Sequence, residues 1–321
     1  MSLRRGSRLG PGDWVRLGFL AAVLVFGTVF VASRWEELRD ALDRLSWTLV
    51  VASTIPAAAG ILASVLAWRV MLADLGGRLG VRDAARVFLL GQLGKYLPGS
   101  VWSFLAQAEL ARDHAVSRKV TVTGSMLGLV LALGTGAVTA FVTLPFGGEG
   151  ALWRYWWVVL VVPVGMVLLH PRVVGPLLDR MLRLARREPL VRRPSYHGML
   201  TAAGWYTLGW LLLGLHCWLL MIGFGAPAGG SLPLAVGGFA LAFCLGLIFV
   251  PAPAGAGVRE IVLVLAFGPV LGHGESLAVA LISRIMLTTL DFVLAGVAWP
   301  GGRAERAAHA QGTRARADEG T

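Results

Sequence analysis

Apolar residues run in long blocks separated by short polar stretches. Six blocks are nearly unbroken: Val15–Ser33, Trp47–Leu72, Lys119–Leu144, Trp153–Leu169, His197–Gly223 and Glu275–Trp299. At 1.5 Å per residue, helices of this length cross an apolar layer of about 30 Å. Two further blocks are interrupted. Ala84–His114 carries Lys95, Pro98, Gly99 and Glu109, and Leu234–Val270 carries Pro251, Pro253, Gly255, Gly257, Arg259 and Glu260. Proline lacks the N–H a helix needs, and glycine loosens the backbone beside it. The pattern predicts an all-α, polytopic membrane helix bundle. It has about six full spans plus two re-entrant helix–break–helix hairpins that enter from opposite faces.

The arginines decide between this topology and its rivals. If Ala84–His114 crossed fully, the loop from His170 to His197 would face outward with seven arginines, against the positive-inside tendency. With that block re-entrant, the N-terminus, Arg78–Arg86, Arg112–Lys119, the seven-arginine loop and the C-terminal tail all share the cytoplasmic side. Arg34, Arg39 and Arg44 fall outside but are offset by Glu36, Glu37, Asp40 and Asp43. The expected location is the plasma membrane (bacterial inner membrane), with both termini cytoplasmic.

Composition narrows the class. Of 321 residues, 56% are hydrophobic and 15% charged, against about 25% charged in soluble domains. A soluble enzyme, a disordered protein and a secreted disulfide scaffold are excluded. The net charge of +11 lies between apolar blocks rather than along an aromatic-studded groove, so no nucleic acid is expected. All but two of the basic residues are arginine, which with abundant Ala and Gly suggests a GC-rich bacterial genome. Cys217 and Cys244 sit inside apolar blocks without metal spacing, and no cofactor or metal is expected. The first block reads as a span rather than a cleaved leader. Residues 1–14 form a cytoplasmic tail, 15–299 the transmembrane domain, and 300–321 a disordered cytoplasmic tail. Pro171–Arg187 fits an amphipathic surface helix or a solvated connector.

The breaks carry the chemistry. Irregular backbone at membrane depth survives only when covered by protein or a water-filled cavity. Helix starts present free N–H groups and partial positive charge, which suit anions. Pro98, Gly99 and Ser100 form the first break, with Lys95 before it and Ser100 as helix cap. Gly255 and Gly257 form the second, with Arg259 and Glu260 beyond it. Arg284 and Asp291 lie seven apart on one face of the last block and need buried partners. Glu260 suits Arg284, and Arg259 suits Asp291. Glu109 pairs with Arg112 in the same leg or joins the site. Kinks that merely shape a bundle, and a structural lock between the second hairpin and the last helix, are the bland alternatives. His216 reads as a hydrogen-bonded core histidine.

At two stretches the chain resembles a known family. Gly91-Gln-Leu-Gly-Lys-Tyr-Leu-Pro-Gly-Ser100 through Glu109 and Arg112, and Val250-Pro-Ala-Pro-Ala-Gly-Ala-Gly-Val-Arg-Glu260, are similar to signatures of the transmembrane region of lysylphosphatidylglycerol synthase. The resemblance covers about Val15–Trp299. It implies a lipid-flippase module without the aminoacyl-transfer domain of the full synthases, and so no enzyme activity. The expected function is a flippase or scramblase-type transporter for an anionic phospholipid or polyprenyl-phosphate-linked lipid. The alternative is a non-catalytic membrane subunit supporting a cell-envelope glycosyltransferase or lipid synthase. No Walker-type ATP loop is present. The oligomeric state is left open.

Overall fold

A computed structural model describes residues 46–96, 102–147, 194–248 and 253–299, with Arg39 and Arg180 besides. The elements among them are helical. They run α1 (Trp47–Asp74), α2 (Val81–Gln92) with a 3-10 turn (Leu93–Tyr96), α3 (Trp102–Arg112), and α4 (Arg118–Thr143) with a 3-10 turn (Leu144–Phe146). Then follow α5 (Tyr196–Gly223), α6 (Ala228–Ile248), a 3-10 turn (Pro253–Gly255), α7 (Val258–Leu271) and α8 (His273–Ala298). Five helices are long and apolar enough to cross a membrane: α1, α4 with its turn, α5, α6 and α8. Four of them match expected spans. Val15–Ser33, Trp153–Leu169, the 300–321 tail and all of Pro171–Arg187 except Arg180 lie outside the described residues.

Local chemistry sets where the helices begin and end. Ser117 caps α4, its Oγ accepting from Val120 N at 3.3 Å. Ser195 caps α5, its Oγ accepting from Gly198 N at 3.0 Å and donating to Asp74 Oδ1 at 2.7 Å. Such a cap satisfies an N–H that the first turn leaves unpaired. The most extensive helix pairing is α1 on α5, where glycines let the backbones close. A Cβ on Gly60 would come within 2.8 Å of Leu213 Cγ and 3.2 Å of Gly209 O. The pair is tied at one end by Asp74 and Ser195, and at the other by Ser46 N donating to Gly223 O at 3.3 Å.

The two ends of the bundle differ in charge. At one end, Asp74 meets Ser195, and Gly77 lies against Val116 and Val120. Arg78, Arg82, Arg86, Arg112, Arg118 and Lys119 gather there. At the other end, Gly147 lies against Leu234. The described segments there, 144–147, 224–232 and 271–275, hold no Lys or Arg.

The hairpins come from opposite ends. α2 and α3 start and finish at the arginine-rich end, their legs close enough that a Cβ on Gly94 would meet Ser103 N at 2.6 Å. α6 and α7 start and finish at the other end. The 3-10 turn Leu93–Tyr96, which leads into the first break, touches the 3-10 turn Pro253–Gly255 of the second. The leg before the second break is itself long enough to cross a membrane. After a kink at Gly229 and Gly230 it runs to Ile248, because no charge or proline interrupts Leu234–Ile248. Its far described end lies partway along α4, with Cys244 Sγ donating to Leu133 O at 3.6 Å. Side chains such as Val51, Ile55, Leu265, Ile285 and Val297 stay exposed on the outside, which suits contact with acyl chains.

Candidate functional site

Where these two 3-10 turns meet, the packing leaves a cavity of about 340 Å³, within the size range of small-ligand sites. Its lining draws on every helix from α1 to α8. Most of it is apolar. The charged residues are Lys95 from the first hairpin, Arg259 and Glu260 from the second, and Arg284 and Asp291 from α8.

These charges form two ion pairs and leave one cation over. Arg284 Nη1 lies 2.5 Å from Glu260 Oε1, the pairing expected from sequence. The other carboxyl oxygen, Glu260 Oε2, accepts from Gly257 N at 2.7 Å. Asp291 does not pair with Arg259, contrary to expectation. Lys95 Nζ takes it instead at 2.5 Å, and Tyr96 Oη donates to the same oxygen at 2.6 Å. Thus α8 is bridged to both hairpins.

Arg259 lies elsewhere. Its guanidinium sits 3.8 Å over the Phe243 ring, a cation–π arrangement. Two glycines make the slot. A Cβ on Gly246 would be 2.6 Å from Arg259 Cγ, and one on Gly255 would be 3.0 Å from Arg259 Nε. Gly255 also holds φ +71°, a left-handed conformation that glycine adopts freely. The buried Nε has no hydrogen-bond partner among the described residues.

The remaining candidates divide. Gly255 lines the cavity beside Ala254, whereas Gly257 does not and gives its N–H to Glu260. The start of α7 is therefore already occupied by a carboxylate, so the expectation of a free helix start there is corrected. Glu109 also falls away from the cavity. It is exposed and pairs with Arg112 at 2.9 Å and with Arg118. The hydrogen bond from Arg118 holds its carboxyl below the ordinary value, with the charges of Arg118 and Arg112 adding to it. Pro98, Gly99 and Ser100 lie outside the described residues.

Several lining residues were missed by reading the sequence. Tyr96 is one. Gln107, on α3, is another, 3% exposed. Trp68 Nε1 donates to Ser125 Oγ at 2.8 Å, and Ser125 donates to Gln107 Oε1 at 2.6 Å. Ser103 and Gln107, four apart and so on one face of this leg, were the available signal. His216 is not part of the site. Ser53 O and Ser283 Oγ each lie 3.0 Å from one of its ring nitrogens, as a core histidine requires. Among the described residues no group of His, Cys, Asp or Glu could hold a metal.

A family model described as "Lysylphosphatidylglycerol synthase TM region" matches residues 14–295. The chain belongs to this family. The match spans every element described above except the last few residues of α8, and it includes both breaks and all five charged residues of the cavity. Family membership and five apolar helices together make this a multi-pass membrane protein. A comparison with curated proteins found no match.

Proposed function

We propose that this chain is a lipid flippase or scramblase-type transporter. Its substrate is an anionic phospholipid or a polyprenyl-phosphate-linked lipid, moved between leaflets of the plasma membrane. The observation that carries the reading is the meeting of two broken hairpins, from opposite ends of an apolar bundle, at one charged cavity. Ionisable side chains inside membrane helices are costly, and they commonly mark a substrate or ion path. In transporters, broken helices commonly meet at the binding site. The family supports a role with membrane lipids. On this reading both hairpins re-enter the membrane. The arginine-rich end and both termini are cytoplasmic, by the positive-inside tendency. The reading makes the chain a carrier rather than an enzyme.

Reconstitution of the pure protein into vesicles tests this. Fluorescent phosphatidylglycerol in both leaflets is quenched from outside. The expected result is quenching of the inner-leaflet pool within minutes in protein-containing vesicles. Movement no faster than in protein-free vesicles, for phospholipids and polyprenyl phosphates alike, overturns the reading.

A further inference from the structure

One hydroxyl departs from the habit of others in this bundle. Ser64, Thr135, Thr143, Thr201 and Ser276 each donate to the carbonyl four residues back on the same helix, the usual local bond of a helical Ser or Thr. Ser283, on α8, makes no such bond among the described residues. Its Oγ lies 3.0 Å from His216 Nε2 and 3.7 Å from Cys217 Sγ, both on α5. Ser283 also lines the cavity, whereas His216 is outside the lining and fully enclosed.

The direction of the Ser283–His216 bond is fixed from the far side of the ring. Ser53 O lies 3.0 Å from His216 Nδ1. A carbonyl oxygen only accepts, so Nδ1 carries the ring proton and the neutral imidazole presents a lone pair at Nε2. Ser283 therefore donates to Nε2. With its own proton on the imidazole, Ser283 Oγ accepts from the Cys217 thiol. Ser53 stands three residues before Pro56 in α1, and a proline inside a helix displaces the carbonyls of the preceding turn.

A hydroxyl bonded to a base, whose other nitrogen is oriented by a third group, is the arrangement of an activated nucleophile. We infer that Ser283 is a nucleophile toward carboxylic esters of alkyl chains, with His216 as its general base and Ser53 O positioning the ring. The mostly apolar lining suits the alkyl chain, and Arg259 and Arg284 in the same lining supply positive charge for the carbonyl oxygen as it becomes an oxyanion. Ser283 Oγ bonds to the carbonyl carbon while its proton passes to His216 Nε2. The carbon–oxygen bond to the alcohol then breaks, and the leaving oxygen takes that proton. The acyl group stays on Ser283 and the imidazole is neutral again. Water reverses the sequence: its proton goes to Nε2, its oxygen bonds to the acyl carbon, and Ser283 Oγ leaves with the proton as the free acid forms. Lipid movement neither requires this chemistry nor follows from it, so the vesicle assay and the tests below succeed or fail separately.

The test is covalent labelling of the purified full chain in neutral detergent. An alkyl fluorophosphonate, whose fluoride a serine oxygen displaces, is followed by intact mass and by peptide mapping. The ester probes are p-nitrophenyl octanoate and p-nitrophenyl acetate, with release of nitrophenolate read by absorbance. The expected result is a single phosphonyl adduct on Ser283 and faster turnover of the octanoate. Ser283→Ala should remove the adduct. His216→Gln keeps a donor for Ser53 O and an acceptor for Ser283 but cannot serve as the base, so labelling should slow by about 100-fold or more, the usual contribution of a general base. Labelling of His216→Gln at the wild-type rate overturns the inference, because a merely structural bridge would behave that way. An adduct mapped to another residue overturns it too, as does a folded wild-type chain that takes no adduct. Equal turnover of octanoate and acetate overturns the alkyl-chain part alone. If Ser283→Ala does not fold, the mapped position on the wild-type chain carries the test without it.

Discussion

Lys95 and Arg284 each hold a carboxylate that is almost fully buried, Asp291 and Glu260 respectively. Removing one partner of such a pair leaves an uncompensated charge and costs about 3–5 kcal/mol. Arg284→Ala and Lys95→Ala should therefore each lower the thermal midpoint in detergent sharply. Lys95→Ala combined with Asp291→Asn should recover most of the loss, since neither half of that pair is then left charged. A double-mutant cycle measures that coupling, and simple additivity would contradict the pairing. Glu109 offers the contrasting case. Glu109→Gln should leave lipid binding within about twofold, because its partners Arg112 and Arg118 sit at the exposed end. Its depressed carboxyl value contributes stability above pH 4.5 that is lost as pH falls through the lower folded value, and Glu109→Gln should abolish that slope. The Arg284–Glu260 pair could be read from sequence because a lone arginine inside an apolar block demands the nearest acid. The partner of Asp291 could not. Arg259 and Glu260 are successive residues on a helix, about 100° apart, so both cannot face one stripe of α8. Lys95 fills the gap from a different hairpin.

The second break is the most constrained segment described. Ala254 holds φ +50° and Gly255 φ +71°, and left-handed backbone costs a residue with a Cβ about 1–2 kcal/mol. Ala254→Gly should thus raise the thermal midpoint, by an effect of about 1 kcal/mol. Gly255→Ala should lower it, because the new Cβ would stand 2.9 Å from Gly246 Cα as well as in strained backbone. Gly246→Ala would push on Arg259 Cγ at 2.6 Å and should weaken phosphatidylglycerol binding more than it lowers stability. Equal stability and affinity of Gly246→Ala and wild type would show that the slot does not position Arg259. Proline and glycine made the position of this break plain in the sequence. The use of its helix start was not plain, because a carboxylate three residues into α7 reaches back to Gly257 N. Only the folded backbone shows that this N–H is satisfied.

Across the bundle, the sorting of arginines to one end gives a direct test of orientation. The native cysteines, Cys217 and Cys244, are buried, so an introduced exposed cysteine reports alone. Ala228→Cys should react with an impermeant maleimide applied to intact cells, and Arg78→Cys only after permeabilisation; the reverse result would invert the topology. The spans over α1, α4, α5 and α8 were readable because unbroken apolar length is a signal that needs no tertiary context. The cavity was not, since the polar residues in its largely apolar walls, such as Tyr96 and Gln107, come singly from separate elements. The pairing of α1 with α5 bears on how such a molecule could move. Glycine contacts close it along its length, and hydrogen bonds fasten it at both ends. A seam of that kind travels as one rigid body, because sliding or splaying would break both fastenings together. Alternating exposure of the cavity would then be the work of the two hairpins, moving against a stationary α1–α5 post to which His216 and Ser283 fasten α8.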